Sequence, residues 1–114
     1  MDTPPFPPDS DPQLRVLALD GLSPLAALLP AGTIVDQANF AQLDLALLRR
    51  FCPDRVMLPL LARNHDAIQV IERLEALGYR GAITVIGPSL PHPRMVEREL
   101  RSLGPGVRLV LLTP

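Results

Sequence analysis

Residues 53–88, PDRVMLPLLARNHDAIQVIERLEALGYRGAITVIGP, change hydrophobic period twice within one unit. After Arg55 the run to Leu61 is apolar throughout, as in a strand buried on both faces. Asn64 or His65 then opens a helix in which Ile68, Ile71, Leu74 and Leu77 share one face. Glu72, Arg73 and Glu75 take the outward positions, and Gly78 supplies the stop. Gly81–Ile86 returns to a continuous apolar run closed by Gly87-Pro88. Strand, helix and strand in this order form the unit of a parallel sheet with a right-handed crossover.

The same alternation extends in both directions. Leu14–Leu19 is an apolar strand ending at Asp20-Gly21, and Ser23-Pro24 has the N-cap and first-position residues of a short helix closing by Pro30. Gly32–Asp36 reads as a second strand, and Leu43, Leu47 and Phe51 as the stripe of a helix of about three turns. Beyond Pro88, Pro93 begins a helix with Val96, Leu100 and Leu103 inward and Glu97–Arg101 as an i, i+4 pair. Gly104-Pro105-Gly106 turns the chain into a fifth strand, Val107–Leu112. The expected fold is α/β and three-layered, with four helices and a five-stranded parallel sheet in the flavodoxin-like order 2-1-3-4-5. Residues 1–13, with five prolines and three aspartates, are expected to form a flexible tail outside a domain spanning 14–114.

Composition narrows the function. The 114 residues suffice for one core; 47% are apolar and 20% charged, which fits a globular chain. Eleven arginines and twelve acidic residues nearly cancel, so no electrostatic field draws in nucleic acid or a membrane surface. No apolar run reaches the roughly 20 residues of a membrane span, and the acidic start is unlike a signal peptide, so a cytoplasmic location is the default expectation. The chain holds no lysine, which excludes a P-loop lysine or a lysine Schiff base. Cys52 is the single cysteine and is expected to be a buried thiol; an intramolecular disulfide and a multi-cysteine metal site are excluded.

Four segments carry a resemblance: Arg15–Asp20 as a first strand and acid, Ala38-Asn39-Phe40-Ala41 entering a helix, Pro53-Asp54-Arg55-Val56-Met57-Leu58, and Thr113-Pro114. Over about the last hundred residues the chain resembles the receiver domains of two-component response regulators. The resemblance places the phospho-acceptor aspartate at Pro59, the acidic metal-binding pair at Asp20-Gly21, the strand-four hydroxyl at Gly87 and the lysine at Thr113. It also implies a fifth helix after strand five, where the sequence ends at Pro114. Phosphoryl transfer needs a carboxylate nucleophile, a metal held by acidic oxygens and a cation on the equatorial oxygens. Here the nucleophile is replaced by Pro59 and the cation by Thr113, and the acidic pair is reduced to Asp20 plus Gly21.

The expected function is therefore a phosphorylation-independent pseudo-receiver acting by protein–protein interaction. The alternative is a small-ligand or nucleotide-binding domain using Asp20, Asn39, Asn64 and Asp66, with Ser89 at the same crevice. No enzyme, metal or cofactor is expected. Asp36, His65, His92 and Thr113 complete the polar groups near strand ends, and Ser89 and His92 lack the elbow and orienting acid of a nucleophilic site. With helical cover expected to be incomplete, Ile83, Val85, Leu109 and Leu111 are candidates for the interface of a homodimer or of an obligate protein partner. Arg94, Arg98 and Arg101 add a basic stripe on the last helix.

Overall fold

A computed structural model describes residues 14–19, 29, 31–61 and 66–114. The expected tail, the expected first helix and Asp20, Asn64 and His65 lie outside the described residues. The described elements are β1 (Arg15–Leu19), β2 (Ile34–Ala38), a 3-10 turn (Phe40–Gln42), α1 (Leu45–Phe51), β3 (Arg55–Pro59), α2 (Ala67–Ala76), β4 (Ala82–Ile86), α3 (Pro93–Leu103) and β5 (Arg108–Leu112). The five strands are all parallel, in the order β2-β1-β3-β4-β5. Three α-helices, not four, stand among the described residues.

Local chemistry sets the boundaries. Asp44 caps α1 by accepting from Leu47 N–H, which leaves Leu43 ahead of the helix and shortens it to seven residues. Asp66, rather than Asn64 or His65, caps α2; its side chain and that of Gln69 exchange hydrogen bonds with each other's backbone N–H. With the helix starting there, Ala67, Val70, Ile71 and Leu74 form the buried stripe at i, i+3, i+4 and i+7. Ile68, expected inside, falls one position off this face and is 45% exposed.

One sheet face carries the core. Leu17 and Leu19 of β1, Val56 and Leu58 of β3, Ile83 and Val85 of β4 and Leu109 of β5 pack with Leu47, Leu48 and Phe51 of α1, the α2 stripe and Leu100 of α3. Arg15 ties β1 to α1: its Nε donates to Phe51 O at 2.6 Å and its guanidinium lies 4.6 Å over the Phe51 ring. Arg73 joins α2 to the 3-10 turn through the Phe40 ring in the same way.

Two expectations about exposed apolar surface are corrected here. Ile83, Val85 and Leu109 are at most 3% exposed, and half-buried Leu111 packs against the same cluster, so these residues are core rather than a free interface. On the opposite face Val16, Ala18, Met57 and Thr84 are also buried, so the sheet centre is closed on both sides. Exposure on that face concentrates at the margin, where Val110 and Leu112 of β5 are 43% and 47% exposed. Ile83→Ala is therefore expected to cost about 2–5 kcal/mol in urea unfolding. Val110→Ser should stay within about 0.5 kcal/mol, as for ordinary surface changes.

Tyr79, the only tyrosine, is buried behind α2, and its hydroxyl donates to the Ala82 carbonyl at 2.8 Å. Burial pushes the phenol well above the usual tyrosine range; the Asp54 carboxylate adds to this, and Arg55 and Arg108 oppose it. A folded pKa above the unfolded one means that the stabilisation is complete below about pH 10 and is lost as pH rises towards the folded pKa. In an alkaline titration the phenolate absorbance is expected to appear together with loss of the helical circular dichroism. A phenolate forming near pH 10 in a still-folded chain would contradict this placement.

Candidate functional site

Strand order reverses direction about β1 and β3, so the crevice beyond their C-terminal ends is where a parallel sheet of this kind receives a ligand. Pro59 forms the floor of that region as the last residue of the central strand β3. Ala82 N–H donates to Asp54 O and Leu60 N–H donates to Ile86 O, so the even-numbered positions of β3 face β4. Position 59 therefore faces β1, where proline has no N–H to give, and the β1–β3 ladder stops at Ala18–Met57. β3, expected to run to Leu61, ends two residues earlier: past Pro59 the Leu60 carbonyl accepts from Ala67 N–H, and Pro88 has no N–H with which to extend the β4 ladder.

The described residues assigned to this end of the sheet are Gly87, Thr113, Asn39 and Asp66. Gly87, at the end of β4, faces the Leu60 side chain; a Cβ at Gly87 would sit 3.2 Å from Leu60 Cδ2. Thr113 is half-buried just past β5. Asn39 accepts from Gln42 N–H, and Gln42 accepts from Asn39 N–H, a reciprocal cap on the 3-10 turn. Asp66 is held by Gln69 in the same manner. The two described members of the proposed ligand set thus serve helix starts. Asp36 accepts from Gln37 N–H and lines a groove of about 300 Å³ at the β2 margin with Asp44 and Arg50.

Ser89 and His92 are exposed, and His92 precedes α3 without a side-chain capping bond. Among the described residues no group of three or more His, Cys, Asp or Glu side chains is placed to hold a metal ion. Cys52, expected to be buried, is exposed at the C-terminus of α1 in the left-handed region, φ 52°, with Sγ donating to Arg49 O at 3.1 Å. It lines a groove of about 380 Å³ with Arg49, Tyr79 and Arg80, at the end of the sheet away from Pro59. A third groove, of about 360 Å³, runs between α2 and α3, with Leu61 and Ile68 exposed along it and Asp66 and Glu99 at its rim. No described helix is long and apolar enough to cross a membrane.

The fold has solved counterparts. The receiver domain of the putative response regulator NarL from Mycobacterium tuberculosis superposes with a TM-score of 0.58 at 19% identity, covering 89% of this chain and 85% of that one. Two-electron reduced Megasphaera elsdenii flavodoxin gives 0.54 at 13% identity, covering 89% and 83%. No family model and no curated protein matches the chain. At these identities the likeness is one of fold: a five-stranded parallel α/β sheet shared by receivers and flavodoxins.

If Asp66 serves the helix rather than a ligand, Asp66→Ala should lower stability by about 1 kcal/mol, with Asp66→Asn losing only part of that. Chemical denaturation of the two variants checks it.

Proposed function

We propose that this chain is a receiver-like regulatory module that works by binding protein, a second copy or a separate partner, without phosphoryl transfer and in the cytoplasm. The observation that carries this reading is Pro59, which ends the central strand where the resemblance to receivers puts the acceptor aspartate. A proline ring offers no oxygen to a phosphoryl group. Gly87, with Leu60 packed against it, supplies no hydroxyl, and Thr113 supplies no cation for the equatorial oxygens. Each loss alone weakens the chemistry; together they leave the scaffold without its reaction.

The partner surface in this reading is α3 and the β5 margin. Arg94, Met95 and Arg98 are exposed on α3, and Val110 and Leu112 on β5. Arginine and methionine are both favoured at protein contacts. The ligand-binding reading draws on the polar groups at the strand ends, of which Asn39 and Asp66 are engaged in helix caps.

Incubation with acetyl phosphate and Mg²⁺ is expected to leave the intact mass unchanged. A base-labile phosphoryl adduct on any aspartate would overturn the proposal. Light scattering at micromolar concentration should return a multiple of 12.4 kDa. A constant monomer mass removes self-association and leaves a separate protein as the partner.

A further inference from the structure

The outer edge of β5 is occupied by side chains. Arg108 N–H donates to Gly81 O, and Gly87 N–H donates to Leu112 O, so positions 108, 110 and 112 face β4. Leu109 and Leu111 therefore turn their backbone groups away from the sheet. Leu111 N–H donates to Glu97 Oε2 at 2.9 Å, and Leu109 O accepts from Arg101 Nε at 3.1 Å. Arg101 Nη2 lies 3.2 Å from Glu97 Oε1, which joins donor and acceptor into one unit.

In a parallel ladder, one residue of the neighbouring strand donates its N–H to the carbonyl of position i−1 and accepts from the N–H of position i+1. Around Val110 those two groups are Leu109 O and Leu111 N–H. Arg101 Nε stands where the missing N–H would be, and Glu97 Oε2 where the missing carbonyl would be. We propose that the Glu97–Arg101 pair is a side-chain surrogate for one residue of a sixth strand, and that it keeps β5 from pairing with the β5 of a second copy. An open edge strand is a template for such pairing, and Val110 and Leu112 would add apolar contact to it. Association between two copies would be two-fold, with the paired β5 strands antiparallel.

The test compares the whole chain with E97A/R101A. The wild-type mass, whatever its number of copies, is expected to stay constant with concentration. The folded double variant should gain mass at least twofold as concentration rises, and Leu111 amide exchange should speed at least tenfold in dilute solution while that of Val110, turned inward, stays slow. Adding V110K, which sets like charges against each other across the new pair, should return the mass to that of V110K in the otherwise unchanged chain. A folded double variant whose mass does not rise overturns the proposal, and so does association that V110K leaves intact. If the double variant loses its helical signal, E97A alone, which frees Leu111 N–H, is measured against the same criteria.

Discussion

A parallel sheet must hide both faces from water while its own backbone groups find partners at every position, and the organisation of this chain follows from that constraint. The apolar side chains of β1, β3, β4 and β5 on one face meet α1, α2 and α3, and the opposite face is buried at its centre. The backbone side of the constraint is met differently at two places. In the middle, Pro59 lacks an N–H and ends the β1–β3 ladder. At the outer margin, a charged pair on α3 takes over the positions that another strand would fill.

The β/α alternation was legible because the hydrophobic period changes sharply between runs such as 53–61 and 66–77. The strand order was not contained in that alternation; it was chosen as a common order of doubly wound sheets, and the parallel pairings β2-β1-β3-β4-β5 bear it out. Strand faces were harder to read. Ile83 and Val85 flank Thr84, and all three are buried, so composition along β4 does not say which side meets helices. Register with β3 and β5 decides it, and register is a tertiary property.

The site was legible in part. Asn39 and Gln42, like Asp66 and Gln69, stand three apart, and that spacing is a helix-start signature visible in the sequence. Both residues were nevertheless counted among the ligand candidates, and the structure uses them as helix caps. The exposure of Cys52 was not legible, since the residue follows an apolar helix and only the left-handed backbone turn carries it outward. Glu97 and Arg101 could be read as an i, i+4 pair, but their hold on β5 joins residues eight and fourteen positions apart through a turn. The local pattern showed the pair, and folding showed its use.

The central claim is that the receiver-like scaffold has lost its phosphoryl chemistry at the end of β3. Amide chemical shifts recorded during titration with Mg²⁺ and beryllofluoride, a mimic of the bound phosphoryl group, test it most directly. The account predicts spectra that do not change at Leu60, Gly87 and Thr113 beyond the effect of ionic strength. Saturable shifts at those three residues, requiring both ions together, would contradict it.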